Sequence, residues 1–548
     1  MLHRADTIAE TRAQFEWDVP EFYNIGVDVC DRWALAEPDR LALIDIDADG
    51  VAKEYSFEDL RRRSAQLAHV LSELADPGDR VGVLLPQCIE TAVSHIAIYK
   101  IGAIAQPLFT LFGPDALLYR LKDSGASVVI TNAEGARVLM DLRAELPALR
   151  TVISIDGPQD SCLGFAESCA AQSTHFTPKT TRADDPAVLI YTSGTTGNPK
   201  GALHGHRVLL GHLPGVEMSH DFLPQAGDKI WTPADWAWIG GLLDVLLPAL
   251  HHGVPVVACR FKKFTAEAAF ELIKSQGIRN AFLPPTALKM MRLCPTAESY
   301  GLQMRSVASG GEPLGRELIE WGQKVLGTTI NEFYGQTECN MIVSSCAALS
   351  PPEPGVMGFA VPGHEVDVLD VNTGEALGIG AQGNIAVRAP DPVMFLRYWN
   401  KPEATAEKFR DVGGVKWLLT GDQGCKTESG RIAFVGRDDD VINSSGYRIG
   451  PAEIEDCLLT HPTVAMAGVV GKPDPIRGEI VTAFVQLAEG VAGTEGLSEE
   501  IATHVKARLA AYEYPRELHF IDAMPLTTTG KIIRGELRRR LVDQSNGA

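Results

Sequence analysis

Eleven residues of the sequence, YTSGTTGNPKG (191–201), contain three glycines, three threonines, one serine and one lysine. The apolar run AVLI (187–190) leads directly into them. Glycines let a backbone approach a ligand closely, and hydroxyls, amides and a lysine donate hydrogen bonds to anions. The stretch is not a Walker loop, because Gly194 and Lys200 do not fit the required G-x-x-x-x-G-K-[ST] spacing. It therefore predicts an anion-binding loop after a strand, with a plain surface turn as the alternative.

Four further stretches combine acids, hydroxyls, cations and glycines. They are NEFYGQTEC (331–339), LLTGDQG (418–424), GRDDDVINSSGYRIGPAEIE (436–455) and MPLTTTGKIIRGELRR (524–539). The first ends in a hydroxyl–acid pair, the second places one acid in a tight turn, and the last places a lysine after a glycine. Phosphate chemistry needs such donors and cations where negative charge develops. Each stretch alone is a weak indication, and their order and separations along the chain carry the interpretation.

The elements that must position these residues are short apolar runs between amphipathic stretches. Helices are predicted at 57–74 and 266–277. Strands are predicted at VGVLLP (81–86), SVVIT (127–131), TVISI (151–155), VPVVAC (254–259), NAFLPP (280–285) and SVASGG (306–311). This alternation predicts α/β layers with largely parallel sheets. Ligands bind at the carboxyl ends of parallel strands, which is where the glycine-rich segments after 187–190 and 306–308 lie.

The pattern changes from residue 362 onward. Apolar and polar residues alternate between glycine and asparagine turns over 362–390, which predicts a small antiparallel β unit. We place a domain boundary near Asp439. Residues 1–438 then form a large α/β N-terminal domain of several subdomains with layered sheets, and residues 439–548 form a small α+β C-terminal domain.

Composition excludes several classes of protein. The chain has 548 residues and a net charge of −20, which argues against general nucleic-acid binding. None of its ten cysteines lies in a C-x-x-C pair, and scattered thiols fit a reducing compartment. The first residues lack a signal-peptide core, and the longest apolar run (92–112) contains His, Lys, Gln and Pro. We therefore expect a cytoplasmic protein with no membrane span.

Together the five stretches resemble the acyl-adenylate-forming superfamily, which includes acyl-CoA synthetases, luciferases and nonribosomal adenylation domains. The resemblance covers nearly the whole chain and looks closest to medium-chain acyl-CoA synthetases of the butyrate-CoA ligase type. It implies an enzyme that joins a carboxylic acid to ATP as an acyl-adenylate, releases pyrophosphate, and transfers the acyl group to CoA. It also implies Mg²⁺ as cofactor and a C-terminal domain that rotates between the two steps.

The resemblance also implies residue roles in the first step. Tyr334 would pack on adenine with Glu332 and Phe333 in the same pocket, and Asp422 would accept the ribose hydroxyls. Glu338 would ligate Mg²⁺. The catalytic residues would be Lys531, Thr337 and Glu338, with Lys531 bridging the carboxylate and the α-phosphate. The full set implied to bind ATP is Thr192, Ser193, Gly194, Thr195, Thr196, Gly197, Lys200, Gly311, Glu312, Pro313, Glu332, Phe333, Tyr334, Gly335, Gln336, Thr337, Asp422, Arg437 and Lys531.

For the second step the resemblance implies CoA contacts and a hinge. The CoA contacts would be Ser445, Gly446, Tyr447 and Arg477. Asp439 would be the hinge, although the run Asp438, Asp439, Asp440 leaves the choice open by one residue. The acyl substrate would contact Trp236, Trp238, Gly240, Gly335, Thr337 and Arg448.

The size of the acyl pocket is predicted from one position. Relatives specific for acetate carry a tryptophan where this chain has Gly335, so glycine there predicts acids longer than acetate. We expect a short-to-medium-chain, branched or aromatic acid. The two tryptophans at 236 and 238 are equally ordinary core residues.

Two alternatives remain open from the sequence. In the first alternative, the enzyme transfers the acyl group to an acyl carrier protein instead of CoA. In the second, the chain is a homologue that binds nucleotide but has lost catalytic activity. The matches at 445–447 and at Arg477 favour CoA. Catalysis is favoured by the presence of Thr337, Glu338, Asp422 and Lys531. Acylation of Lys531 would remove its charge and is a plausible regulatory modification. The sequence leaves the oligomeric state open between monomer and homodimer.

Overall fold

The computed structural model describes residues 2–159, 161–192, 198–261, 263–437, 440–444, 447–475, 477–509, 513–527 and 530–546. Its helices are α1 Ile8–Ala13, α2 Arg32–Ala36, α3 Phe57–Leu74, α4 Ile89–Lys100, α5 Pro114–Ser124, α6 Ala133–Leu142, α7 Phe165–Ala170, α8 Val208–Ser219, α9 Ile239–Gly241, α10 Leu247–His252, α11 Ala266–Gln276, α12 Pro285–Arg292, α13 Arg316–Val325, α14 Pro402–Glu407, α15 Pro451–Leu459, α16 Glu495–Lys506 and α17 Arg534–Asn546. Single turns of π-helix (Val27–Asp31 and Leu242–Leu246) precede α2 and α10, and short 3₁₀ turns lie at Arg143–Glu145 and Ala297–Tyr300.

The strands occur throughout the chain. They are β1 Leu41–Ile46, β2 Ala52–Ser56, β3 Arg80–Leu84, β4 Ile104–Pro107, β5 Val128–Thr131, β6 Thr151–Ser154, β7 Leu163–Gly164, β8 Pro186–Thr192, β9 Lys200–Gly205, β10 Ile230–Trp231, β11 Val256–Cys259, β12 Asn280–Phe282, β13 Ser306–Gly310, β14 Ile330–Gln336, β15 Cys339–Ser344, β16 Val356–Ala360, β17 Val366–Leu369, β18 Gln382–Arg388, β19 Arg397–Tyr398, β20 Phe409–Val412, β21 Val415–Lys426, β22 Ile432–Arg437, β23 Ile442–Ser444, β24 Tyr447–Ile449, β25 Val464–Asp474, β26 Gly478–Leu487 and β27 Glu517–Phe520.

These strands form three sheets. The eight-stranded sheet has the order β19-β9-β8-β4-β3-β5-β6-β7, and its pairs are parallel from β8 to β7. The 14-stranded sheet has the order β17-β18-β21-β22-β16-β15-β14-β13-β12-β10-β11-β1-β2, with β20 beside β21. The five-stranded sheet contains β23 to β27. The predicted α/β class with a small α+β C-terminal domain is confirmed.

The 14-stranded sheet changes character at β14. Strands β10 to β14 pair in parallel with their neighbours, whereas β14, β15, β16, β22, β21 and β18 pair antiparallel. The antiparallel unit predicted from residue 362 is therefore continuous with the parallel strands through β16. This continuity brings Asp422 on β21 to the same sheet as Tyr334 on β14.

Local sequence explains the two helices predicted by periodicity. α3 begins after a capping box in which the Ser56 side chain accepts from the Asp59 N–H and the Asp59 carboxylate accepts from the Ser56 N–H. α11 begins directly after its capping residue Thr265, whose hydroxyl accepts from Ala268 N–H. It ends where Gly277 adopts φ +59°, a left-handed conformation that glycine adopts without strain. Both helices bury one apolar face against a sheet.

The chain passes between sheets in the segment that was predicted to hold the domain boundary. Arg437 ends β22 in the 14-stranded sheet, and Ile442 begins β23 in the five-stranded sheet. Asp439 lies between them but outside the described residues, so the exact boundary stays a prediction. Within the described ranges, no helix combines the length and apolar character that crossing a lipid bilayer requires.

Candidate nucleotide and acyl site

The phosphate-loop prediction falls on a hairpin of the eight-stranded sheet. Thr192 ends β8 and lies opposite Lys200, the first residue of β9. Residues 193–197, which include Ser193, Gly194, Thr195, Thr196 and Gly197, lie outside the described residues. The Lys200 Nζ lies 5.3 Å from the centre of the Tyr398 ring, a cation–π contact. The base of the loop is thus fixed to Tyr398.

Tyr398 connects this loop to the acid that was predicted to bind magnesium. Thr337 and Glu338 form the two-residue turn between β14 and β15, where Gln336 pairs with Cys339. The Tyr398 hydroxyl donates a short hydrogen bond to Glu338 Oε1, and burial raises the pKa of this hydroxyl. No sequence motif indicated Tyr398, because its contact with Glu338 joins distant segments of the chain.

Glu338 has the properties of a magnesium ligand. Among the described side chains, no group of three or more His, Cys, Asp or Glu residues would hold a metal unaided. Mg²⁺ commonly binds through one or two carboxylates, with water and substrate phosphates as the remaining ligands. Glu338 is buried and Tyr398 fixes one of its oxygens, which leaves Oε2 without a partner in the described part of the chain. The residues present therefore fit a Mg²⁺ ion bound jointly with phosphates.

A second network surrounds Asp422. The Tyr334 hydroxyl donates to Asp422 Oδ2 at 2.6 Å, and Gln336 Nε2 donates to the same oxygen at 3.4 Å and to Thr420 O at 2.9 Å. Lys408 Nζ donates to Gln336 Oε1 at 2.9 Å. The acid predicted to hold ribose is therefore held rigidly, with one oxygen committed to protein. Lys408 is a further residue that no sequence motif indicated.

The buried Asp422 carboxyl has a raised pKa, and nearby cations oppose this rise. Burial raises the pKa of Asp422, while the Tyr334 hydrogen bond and the charges of Arg437, Lys408 and Lys531 lower it. Arg437 lies opposite Asp422 in the β21–β22 register. The same environment raises the pKa of Tyr334 well above its usual value, so Tyr334 is the donor in their hydrogen bond.

Lys531 of the C-terminal domain reaches this site. A Cβ built on Gly311 would lie 3.8 Å from Lys531 Cε and 3.9 Å from its Nζ, so the lysine lies directly over this glycine. The Lys531 side chain is exposed to solvent in the cleft. Partial desolvation lowers the pKa of Lys531, whereas the charges of Glu312 and Asp422 raise it and that of Arg437 lowers it. The structure thus brings together the predicted lysine, glycine turn and ribose acid.

Phe333, predicted to share the adenine pocket of Tyr334, lies elsewhere. Side chains on a strand alternate between faces, and Phe333 packs against Phe282, with ring centres 5.2 Å apart. Glu332 is buried, and burial raises its pKa to about 8. Its carboxyl is bonded to the backbone of Leu314. Alternation places Glu332 on the same face of β14 as Tyr334, so Phe333 is the residue that departs from the predicted arrangement. Pro313 lies between Glu312 and the buried Leu314.

The residues predicted to contact the acyl group lie near the carboxyl ends of β10 and β14. Trp236 is 1% exposed and belongs to the core, whereas Trp238 is half-buried and contacts the rings of Phe109 and Phe112. Gly240 is the middle residue of α9 and is half-buried. For Trp236 the core interpretation fits the burial better. Arg448 lies in β24, and its side chain is outside the described residues.

Gly335 packs more tightly than the sequence indicated. A Cβ at this position would lie 2.5 Å from Asn340 Cα and from Met341 N, and 2.7 Å from Asn340 Oδ1. The register of β14 and β15 shifts here. The side of Gly335 from which a side chain would extend is therefore filled by β15, and the open space predicted there is not found. Backbone packing alone is enough to require glycine.

We expect Gly335→Trp to lower the melting temperature and to remove turnover of all acids, acetate included. Overpacking against the β15 backbone costs about 1–3 kcal/mol and displaces neighbouring residues. Thermal unfolding and an acid panel measure both effects. Gly378→Trp is the control, because nothing lies within 4 Å of a Cβ there. A stable Gly335→Trp enzyme that keeps acetate and loses longer acids would restore the gating role.

The predicted CoA residues are only partly described. Ser445 and Gly446 lie outside the described residues, as does the side chain of Tyr447 in β24. Arg477 follows β25, and its N–H donates to Asp474 Oδ1 at 2.7 Å. The structure therefore adds little to the CoA assignment, which stays a prediction.

Comparison with known proteins gives the family. Residues 30–399 match the AMP-binding enzyme family, and residues 453–531 match the AMP-binding enzyme C-terminal domain. The chain is 35% identical to an acetyl-coenzyme A synthetase of Bacillus subtilis (strain 168), over 98% of this chain and 95% of the relative. It is 33% identical to the mitochondrial acyl-coenzyme A synthetase ACSM4 of Rattus norvegicus, over 95% and 91%.

Comparison with solved structures gives the same family. An acyl-CoA synthetase from Brucella canis is 35% identical, with a TM-score of 0.74 over 99% of this chain and 100% of the other. The anthranilate CoA ligase AuaEII, solved with anthranoyl-AMP, is 27% identical, with a TM-score of 0.88 over 96% and 99%. The predicted resemblance to the acyl-adenylate-forming superfamily is confirmed. The chain belongs to the AMP-binding enzyme family and, within it, to the AMP-forming acyl-CoA synthetases.

Proposed function

We propose that the protein activates a carboxylic acid with ATP and transfers the acyl group to CoA. In the first step a carboxylate oxygen attacks the α-phosphorus of ATP, and the bond to pyrophosphate breaks. In the second step the CoA thiolate attacks the carbonyl carbon of the acyl-adenylate, and AMP leaves. The observation that carries the proposal is the position of Lys531 over Gly311, in the field of Asp422 and Arg437.

The residues around the cleft have separate tasks in the first step. Asp422 would accept the ribose hydroxyls through Oδ1, because Tyr334 and Gln336 both donate to Oδ2. Lys531 would neutralise charge between the carboxylate and the α-phosphate, and Thr337 would donate to the phosphate. Glu338 would hold Mg²⁺, which when bound neutralises phosphate charge. Lys200, held on the Tyr398 ring, would contact the outer phosphates.

The second step would use residues of the C-terminal domain. We assign CoA contacts to Ser445, Gly446, Tyr447 and Arg477, and the rotation between steps to Asp439. Acylation of Lys531 would abolish its charge and suppress the first step. Ten free cysteines support a reducing, cytoplasmic location. The acid would be a short-to-medium-chain, branched or aromatic one, an assignment that rests on the family resemblance, because backbone packing alone accounts for Gly335.

Pyrophosphate release with ATP, Mg²⁺ and a panel of acids tests the proposal. We expect release that depends on the acid, and acyl-CoA formation when CoA is added. The panel contains straight-chain, branched and aromatic acids. No release with any acid would indicate a silent homologue, and release without thioester formation would indicate another acceptor, such as a carrier protein.

A further inference from the structure

Lys408 directly follows α14 and lies beside β21. Its Nζ donates to Gln336 Oε1 at 2.9 Å and to two carbonyl oxygens of β21, those of Thr420 at 3.0 Å and Leu419 at 3.3 Å. An ammonium group has three hydrogens, so these neutral oxygens use its whole donor capacity. Among the described residues, Lys408 forms no ion pair with a carboxylate. Its position is therefore set by neutral acceptors, and its charge is not neutralised by a direct partner.

The contact with Lys408 fixes the orientation of the Gln336 amide. A primary amide has an oxygen that accepts hydrogen bonds and a nitrogen that donates them. Because Lys408 donates to Oε1, the Nε2 atom faces the Thr420 carbonyl at 2.9 Å and Asp422 Oδ2 at 3.4 Å. Turning the amide over would place its oxygen against these two acceptors and its nitrogen against the ammonium group. The observed orientation is the one that satisfies these partners.

The orientation of Gln336 decides which oxygen of Asp422 stays available. Oδ2 accepts from Gln336 Nε2 and from the Tyr334 hydroxyl, the latter at 2.6 Å. Oδ1 is then the oxygen that would accept the ribose hydroxyls. Without Lys408 the amide would be free to turn and to present its oxygen to Oδ2, so Gln336 would no longer hold the carboxyl in place.

Lys408 also supplies positive charge to Asp422 independently of the C-terminal domain. Burial raises the pKa of Asp422, whereas the Tyr334 hydrogen bond and the charges of Arg437, Lys408 and Lys531 oppose this rise. Lys531 belongs to the C-terminal domain and would move away in the proposed rotation. The acceptors of Lys408 lie on β14 and β21, which belong to the N-terminal domain. Lys408 would therefore act on Asp422 in both half-reactions.

A purely mechanical role for Lys408 would have different consequences. Its bonds to the Leu419 and Thr420 carbonyls connect the end of α14 to β21. If these bonds alone mattered, loss of Lys408 would lower the melting temperature and weaken the binding of every nucleotide equally. The bond to Gln336 predicts instead a loss that depends on the ribose hydroxyls.

We propose that Lys408 is a positioning residue of the ribose site, which acts through Gln336 to hold Asp422 with Oδ1 toward the ribose hydroxyls. The inference rests on the proposed function, because it concerns the nucleotide bound at that same site. In this role Lys408 contacts neither the acid substrate nor the phosphates. Its loss should therefore lower nucleotide affinity and leave the chemical step almost unchanged.

Nucleotide binding in the absence of an acid substrate tests the inference. Titrations with Mg²⁺ present measure the dissociation constants of ATP, 2′-deoxy-ATP and 3′-deoxy-ATP. The wild type should bind at least one deoxy analogue about 10-fold more weakly than ATP, as expected for loss of a hydrogen bond to a charged group. Lys408→Met keeps the length of the side chain and removes the donor. Its affinity for ATP should fall toward that for the analogue, so that the ratio comes within about threefold.

Further variants separate the path through Gln336 from the carbonyl contacts. Gln336→Leu leaves those contacts in place and should lose discrimination as Lys408→Met does. The double variant should lose no more than the larger single loss, because residues that act through one path are not additive. Lys408→Arg keeps a charged donor and should keep the wild-type ratio within about threefold. Lys426→Met is the control, since Lys426 is a lysine of β21 that pairs with Asp367 at 2.6 Å.

Turnover adds a second measurement. At saturating ATP, pyrophosphate release by Lys408→Met should stay within about threefold of the wild-type rate, while its KM for ATP rises. An unchanged nucleotide ratio in a folded Lys408→Met protein, or equal weakening of all three nucleotides, overturns the inference. If that variant does not fold, an unchanged ratio in Gln336→Leu overturns it. Equal wild-type affinity for the three nucleotides does so too, whereas absence of turnover with every acid overturns the proposed function itself.

Discussion

Lys531→Ala is expected to lose acyl-adenylate formation by about 10²- to 10³-fold, the effect of removing one preorganised electrostatic contact. The reason is the position of Lys531 over Gly311, where its charge would face both the carboxylate and the α-phosphate. Arg437 lies opposite Asp422 in the backbone register of β21 and β22, whereas among the described residues only Lys531 lies within 4 Å of a Cβ built on Gly311. Single-turnover pyrophosphate release measures the loss.

The second half-reaction supplies the internal control for this variant. Given pre-made acyl-adenylate and CoA, Lys531→Ala should form the thioester at close to the wild-type rate, because the proposed rotation of the C-terminal domain would carry the lysine away from the reacting carbonyl. Lys472→Ala is a matched variant, since Lys472 is a lysine of the same domain, paired with Glu517 at 2.8 Å. It should keep both rates. Parallel loss of both half-reactions in Lys531→Ala, or survival of adenylation, would contradict the assigned role.

Much of this site was predictable because its residues lie in local motifs. The phosphate hairpin, the turn at Thr337 and Glu338, and the glycine before Lys531 are each defined by neighbours in sequence. The two strand-to-glycine junctions predicted after residues 190 and 308 coincide with the ends of β8 at Thr192 and β13 at Gly310. Such turns and strand ends can be predicted from short segments, because their conformation depends mainly on the residues that form them.

The remaining contacts depend on register between distant segments. Tyr398 meets Glu338 and Asn340 meets Asp244 because β14 and β15 fix positions that are far apart in the chain. Phe333 was expected beside Tyr334, but strand alternation places it against Phe282. Glycine at position 335 was predicted to leave space in the acyl pocket, whereas its neighbours are backbone atoms of β15. No pattern among neighbouring residues in the sequence predicts such contacts.

The residues around the predicted hinge are anchored on both sides. Arg437 ends β22 in the 14-stranded sheet. Asp440 accepts a hydrogen bond from Arg538 and lies 3.5 Å from Arg534, both on α17. Arg534 also donates to Glu455 on α15 at 2.6 Å. Asp440 is buried, and these contacts with α17 would make it move together with the C-terminal domain. A rotation between the domains would then occur before Asp440, which favours the interval that contains Asp438 and Asp439.

We therefore expect Asp439→Pro to keep adenylation and to lose thioester formation by at least ~10²-fold. Proline fixes φ near −65°, so a hinge that must change its backbone angles would be held in one conformation. The conformation with Lys531 over Gly311 belongs to the first step, and that step should survive. Burst release of pyrophosphate with little acyl-CoA would be the measured signature.

Asp439→Ala is the matched control, because it removes the same carboxylate and leaves φ free. It should retain both half-reactions, which would assign the effect of proline to the backbone and not to the lost charge. A melting temperature for Asp439→Pro close to that of the wild type shows that the domains remain folded. If both steps fall together in a folded Asp439→Pro protein, or if thioester formation persists, the pivot is not at this residue. The anchoring of Asp440 by Arg534 and Arg538 would then direct the search to Asp438.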